Sequence, residues 1–265
     1  MELNKLKMLE IVRKQLAIDM NCNIQDFLKD GIVFCEAKSN EGRRMFDRQS
    51  PFLEIATMGK STVVSADSDI LAKAKPLLET KTREDVFVAP FLFGHSIYYI
   101  PDCDKIKRLS WPDGFTFCVK EEKKIHELYK VSGFENAIQY DINHPRPDMI
   151  VIYAMCGNEI VAMVGASADS SLMWQIGIDV LPLFRNKGLA TSLVSNLAIM
   201  IISRGIVPYY GTASSNIASQ SVAYRSGFIP TWMCSYKNTF DGMSPYECNI
   251  RINFKTTNEH NVQII

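Results

Sequence analysis

Leu181-Pro182-Leu183-Phe184-Arg185-Asn186-Lys187-Gly188-Leu189-Ala190 joins a strand-like run ending at Val180 to a helical run beginning near Lys187. A helix that starts this way presents first-turn N–H groups without intrahelical acceptors, and the positive end of its dipole lies behind them. Gly188 lets a ligand reach this backbone with no Cβ in the way. Arg185 and Lys187 add two positive charges. The chemistry such a turn can do is anion binding, and amides from Arg185 to Ala190 between two cations suit a diphosphate. Taken alone, R-x-x-G-x-A also describes an exposed basic turn before a helix.

The elements that must position this turn are legible on both sides of it. Met149 to Cys156, Glu159 to Ala166 and Leu172 to Val180 read as strands. The first two are joined by Gly157-Asn158, a two-residue link that favours a tight antiparallel hairpin. The third pairs on across Asp169-Ser170-Ser171. From Lys187 to Arg204 the period becomes helical, with Leu189, Leu193, Leu197, Met200 and Ile201 on one stripe, and Gly205 closes the helix. Ile206 to Ala213 reads as a strand, Asn216 to Ser226 as a helix ended by Gly227, and Phe228 to Tyr236 as a strand. Strand, helix and strand in this order call for right-handed crossovers and parallel strands within a mixed sheet. Residues 120 to 130 read as helical. The apolar run Ile199 to Ile202 calls for cover on the helix's outer side, from the N-terminal part or a second copy of the chain.

Residues 1 to about 110 mix helix and strand: an amphipathic helix carrying Leu3, Leu6, Leu9, Val12 and Leu16, strands at Ile32 to Ala37, Phe52 to Ser65 and Ser96 to Ile100, and a helix at Ser68 to Leu78. The turn-rich stretch from Pro101 to Gly114 reads as a junction. The expected organisation is therefore an N-terminal mixed α/β domain of unassigned role at 1–112, an α/β domain at 113–255 with a mixed sheet flanked by helices, and a tail at 256–265.

The 265 residues include 29 Lys plus Arg and 29 Asp plus Glu, so no global field draws the chain to nucleic acid or anionic lipid. Seven scattered cysteines, with no C-x-x-C pair and no nearby His, read as reduced packing residues rather than metal ligands. Cys156 and Cys234, in apolar strand patterns, are expected in the core. The amphipathic start is unlike a signal peptide, and Leu189 to Ser203 is shorter than the roughly 20 residues of a membrane span. A cytoplasmic protein without metal, nucleic-acid or membrane partners is expected, with a homodimer left open.

Val180-x-Pro182-x-Phe184-Arg185-x-x-Gly188-x-Ala190, followed by an amphipathic helix, a strand, Asn216 and then Gly227-Phe228, resembles the motif series of the GNAT superfamily of acyl-coenzyme A-dependent N-acyltransferases. The resemblance covers about 140 residues. It implies a V-shaped sheet in which the strands ending at Val180 and Ala213 splay apart to admit the pantetheine arm of acetyl-CoA. Backbone groups of Ile178, Asp179 and Val180 would then meet the pantetheine amides, and N–H groups of Arg185, Asn186, Lys187, Gly188, Leu189 and Ala190 would hold the pyrophosphate. Asn216 matches a position that bonds the pantetheine, while Asn equally suits a helix N-cap.

The general acid usual in that superfamily, a Tyr four residues before Gly-Phe, is here Ala223. Tyr224 is the adjacent candidate, although one helical step turns a side chain by about 100°; its other reading is a packing aromatic. The implied reaction is direct attack of an amine on the acetyl thioester in a ternary complex, through positioning and backbone donors, with no covalent acyl-enzyme. Asp179, Glu159 and Tyr210 are unranked contributors to proton transfer. The alternatives are a non-catalytic acyl-CoA-binding sensor of the same fold, which Ala223 favours, or a transferase of another acyl group. The sequence leaves the acceptor unread.

Overall fold

The computed structural model describes residues 3–46, 50–240 and 242; the expected tail at 256–265 and Cys248 lie outside them. Helix α1 (Lys5–Met20) begins where the Asn4 side chain accepts from the Lys7 N–H and ends at Asn21 in a left-handed conformation. It buries Met8, Ile11, Val12, Leu16 and Met20 along one stripe. The run expected as one strand from Phe52 to Ser65 is two strands folded back at Gly59-Lys60. They are β2 (Leu53–Met58) and β3 (Ser61–Ala66), paired antiparallel from Met58↔Ser61 onward. Strand β1 (Gly31–Glu36) joins β3 in parallel. Helices α2 (Ser68–Leu78) and α3 (Arg83–Phe87) then lead to β4 (Leu92–Pro101).

Beyond the junction the helix expected at 120–130 is corrected. Strand β5 (Thr116–Glu121) occupies its start, and a 3₁₀ helix covers Glu122–Lys130. Glu122 sits at φ 49, a left-handed residue at which no continuous helix can run. Strands β6 (Asp148–Cys156) and β7 (Glu159–Ala168) form the two-residue hairpin, with Cys156 opposite Glu159, and β8 (Met173–Val180) pairs antiparallel with β7. Helix α4 (Leu189–Ile202), strand β9 (Val207–Ala213), helix α5 (Ile217–Arg225) and strand β10 (Phe228–Asn238) follow.

One ten-stranded mixed sheet runs β1-β3-β2-β10-β4-β9-β8-β7-β6-β5. Strand β4 lies between β9 and β10 and is antiparallel to both, so β9 and β10 run the same way with an N-terminal strand between them. The division expected at 112/113 falls within this continuous sheet. Strand alternation separates two faces. One carries Ile152, Val164, Ile176, Tyr210 and Tyr99 under α4 and α5. The other carries Met173, Val207, Tyr209, Ile100 and Trp232 under α1, and Val151 and Met163 under residues 125–138. Helix α4 is covered in part by the junction, on the side of its polar residues Ser195 and Asn196. Ser195 Oγ donates to the Lys107 carbonyl, and the Asn196 amide both donates to and accepts from the Leu109 backbone.

Candidate active site

The central parallel pair parts company half-way. Rungs join Met173↔Val207, Trp174↔Pro208, Gln175↔Tyr209 and Ile176↔Tyr210, and there the pairing stops, although β8 continues to Val180 and β9 to Ala213. On its other side β8 stays paired with β7 to the end, through Ala162↔Val180. The Leu181 N–H donates to the Val161 carbonyl. By alternation, the peptide groups of Asp179 therefore turn to β7, and those of Ile178 and Val180 turn to the gap. Of the three backbone positions expected there, two turn toward the gap: Ile178, and Val180, whose carbonyl is taken by Arg185 Nε. Asp179 is engaged through its side chain instead, accepting from the Asn136 N–H (2.8 Å), Asn136 Nδ2 (2.6 Å) and the Ala137 N–H (3.1 Å).

That bond set explains two glycines. A Cβ on Gly177 would lie 1.7 Å from the Asn136 carbonyl oxygen, and one on its cross-strand partner Gly165 would lie 1.9 Å from that of Ala137. The 134–138 turn therefore lies flat on the sheet, beside the gap, only because these positions have no side chain.

At the mouth of the gap, Gly188 is the N-cap of α4 at φ 79, and Asn186 is also left-handed at φ 62. The first intrahelical bond is the Ser192 N–H to the Gly188 carbonyl. The N–H groups of Leu189, Ala190 and Thr191 precede it, and Gly188 has no side chain to cap them. Arg185, Asn186, Lys187 and Gly188 are exposed, whereas the Leu189 side chain is buried, so Leu189 offers only its backbone. Arg185 Nε donates to the Val180 carbonyl at 3.1 Å, tying the cationic turn to the end of β8. Lys187 Nζ lies 5.2 Å from the Phe184 ring centre.

Asn216 caps α5, its side chain accepting from the Ser219 N–H at 3.0 Å. Helix α5 buries Ala223 completely in the core under α4. Tyr224, one step round, is 66 % exposed, with its ring near Lys105. The structure thus brings the cradle and the gap together and leaves Tyr224 on the solvent side of α5. Tyr210 stands at the last rung instead, its hydroxyl 2.7 Å from Ser219 Oγ. Burial raises the Tyr210 pKa, so the phenol stays protonated. Glu159 is exposed in the hairpin. So is Cys156, against its expected place in the core, because it sits beside the turn; Cys234 is buried.

The model of the family described as the acetyltransferase (GNAT) family matches residues 100–228. These residues form a GNAT acetyltransferase domain. The GNAT-like fold, with its large splayed sheet flanked by helices, carries an additional N-terminal region. Among solved structures, the chain is similar to a GNAT-family acetyltransferase from Colwellia psychrerythraea (13 % identity, 71 % of this chain and 65 % of that one, TM-score 0.44). It is similar also to a GCN5-related N-acetyltransferase-like protein from Streptococcus suis (14 % identity, 88 % and 100 %, TM-score 0.45) and to a GCN5-related N-acetyltransferase from Sphaerobacter thermophilus (14 % identity, 71 % and 60 %, TM-score 0.44). The chain spans less than two thirds of the Colwellia and Sphaerobacter proteins. No curated protein matches the sequence. Among the described residues no cluster of His, Cys, Asp or Glu is placed to hold a metal ion, and no helix is long and apolar enough to cross a membrane.

Proposed function

We infer that this domain transfers an acetyl group from acetyl-CoA to a primary amine by direct attack within a ternary complex. The observation that carries the reading is the end of β8–β9 pairing at Ile176 and Tyr210, next to an uncapped helix N-terminus. A gap lined on one side by peptide groups of Ile178 and the Val180 N–H that no neighbouring strand pairs, with uncapped amides at its mouth, fits an extended amide chain ending in a pyrophosphate. On this reading the N–H groups of Lys187 to Thr191 hold the pyrophosphate, with Arg185 and Lys187 as counter-charges. Ile178 and the Val180 N–H pair with the pantetheine as an added strand would, and the Asn216 side chain meets it from the start of α5.

Acetyl-CoA supplies an activated thioester carbonyl. The N–C bond forms as the C–S bond breaks, the amine nitrogen loses a proton and the sulfur gains one. An amide N–H at Ile178 or Val180 is the donor available to the carbonyl oxygen. The Tyr210 phenol, protonated and held by Ser219, is the proton donor available near the last rung, and it replaces Tyr224 in that role. Asp179 and Glu159 drop out as bases, the first through its bonds to the 136–137 backbone and the second through its exposed place in the hairpin.

The small buried Ala223, standing where the superfamily has its acid, favours a second reading: binding of acyl-CoA without turnover. One experiment separates the two. Purified protein with acetyl-CoA and a panel of primary amines should release free thiol only when an amine is present. Tight binding with no thiol released from any amine would leave the binding module, and absence of binding would remove both.

A further inference from the structure

A cavity of about 360 Å³ opens on the sheet face opposite α4, within the roughly 300–1,000 Å³ of small-molecule sites. Its floor includes Tyr98 and Gln175, which alternate along β4 and β8 with Tyr99 and Ile176 of the α4 face. Both side chains lie over Gly211, the first β9 residue beyond the last rung. A Cβ there would fall 2.7 Å from Tyr98 Cε1 and 3.4 Å from Gln175 Nε2. The cavity therefore meets the gap at the fork, from the side away from α4.

Three arginines line it from distant parts of the chain: Arg43 and Arg44 between β1 and β2, and Arg146 just before β6. Among the described residues each lies within 4.0 Å of one carboxylate. Arg44 Nε lies 2.6 Å from Asp19, Arg146 Nη1 3.6 Å from Asp169, and Arg43 Nη2 4.0 Å from Glu54. Among the described residues these three cations are thus matched by three carboxylates, of which Asp19 and Glu54 belong to the cavity lining. Their hydrogen bonding is incomplete, because Arg43 Nε, Arg44 Nη1 and Arg146 Nε are buried with no acceptor among the described residues. The Arg43 and Arg44 side chains are only 8 % and 5 % exposed, so they are held in place rather than solvated. Phe46 backs two of them, with its ring centre 4.8 Å from Arg146 Cζ and 5.3 Å from Arg44 Cζ.

Buried guanidinium donors without acceptors are costly, and a ligand that brings oxygen acceptors relieves them. Because a carboxylate already stands beside each of these arginines among the described residues, a ligand with no net charge fits better than a phosphate dianion. We propose, resting on the acyl-transfer reading, that this cavity is the acceptor site and takes a small amine that also bears a carboxylate, of the free amino acid class. The carboxylate meets the arginines, and the amine nitrogen points past Gln175 to the fork. Gln175 accepts from Arg146 Nη1 at 3.2 Å and so sets one arginine against the strand that ends at the gap. The N-terminal part of the chain then has a role: it supplies two of the three recognition arginines.

The test uses the full chain, acetyl-CoA and matched pairs: each standard amino acid beside its decarboxylated amine, such as phenylalanine beside phenethylamine. Thiol release gives kcat/KM, and calorimetry in the presence of CoA gives affinity without turnover. At least one pair should favour the acid by about thirtyfold or more, the size expected when one partner of a buried charge pair is removed. Arg146→Gln should narrow that preference by about tenfold through KM, with the acetyl-CoA KM unchanged and without needing the Arg44–Asp19 pair to be disturbed. Equal performance within every pair, preference for the decarboxylated amines, or neither binding nor turnover of any amino acid by protein that binds acetyl-CoA would each overturn the proposal while leaving acyl transfer standing. Failure to bind acetyl-CoA would remove the underlying reading as well.

Discussion

Ile176 and Tyr210 face each other across the last rung that β8 and β9 share. On one side of that rung the strands are ordinary neighbours; on the other, each carries backbone with no partner in the adjacent strand. Unpaired backbone inside a sheet is tolerated when something else meets it. The Tyr210 hydroxyl, bonded to Ser219 of α5, also ties the helix that walls the gap to the strand that forms it.

Gly188→Glu should abolish acetyl-CoA binding. The substitution places a bulky carboxylate where a diphosphate must lie and forces a branched backbone into φ 79. The left-handed strain alone costs about 1 kcal/mol, so the variant should fold. Calorimetric titration of acetyl-CoA against a variant with unchanged circular dichroism is the measurement, and wild-type affinity would remove the cradle assignment.

Tyr210→Phe should lower kcat by about ten- to a hundredfold, at or below the low end of the roughly 10²–10⁴ that an acid or base contributes, because a thiolate already leaves readily. Tyr224→Phe, on the exposed side of α5, should lower it by less than about threefold, well below that range. Steady-state rates of the two variants at saturating acetyl-CoA decide between the hydroxyls, and a reversed order would return the proton to Tyr224.

The local features were legible because they are local. Gly157-Asn158 specifies its hairpin within four residues, and the Lys187–Arg204 periodicity specifies α4 almost to its ends. The cradle is one turn of chain, so its amides and its glycine could be read together. What escaped was assembled at a distance. Strand β4 reads as a strand wherever it is placed, and only pairing with β9 and β10 seats it in the middle of the sheet. Arg44 and Arg146 share the neighbourhood of Phe46 across about a hundred residues of sequence, with no spacing to announce it. The segment 120–130 reads as one helix, which the left-handed backbone at Glu122 interrupts.

Gly177→Ala should destabilise the protein by roughly 1–3 kcal/mol or more, the range for overpacking a filled interior. Its methyl carbon would have to displace the Asn136 carbonyl, which is backbone held by the Asp179 bonds. Urea unfolding measures the loss. A neutral result would mean that the 134–138 turn is not seated on the sheet as described.

Asp148 gives a pH dependence with a definite sign. The residue is 8 % exposed. Burial raises its pKa, against the lowering effect of bonds from the Gln139 N–H and the Tyr129 hydroxyl, while Oδ1 has no protein partner. Between the ordinary carboxylate value and the raised native one, the folded state holds the proton more tightly than the unfolded state. Stability from this group is therefore complete below the ordinary value and is lost as pH rises through the native one. Asp148→Asn, which mimics the protonated form, lacks this term. Relative to wild type the variant should gain stability as pH is raised from about 4 to 7, the lower end lying near the ordinary Asp value. Urea unfolding of both proteins across that range reads the difference directly. A gap that stays constant, or that moves in favour of wild type as pH rises, would show that the Gln139 and Tyr129 bonds outweigh burial and that the native carboxyl titrates at or below its ordinary value.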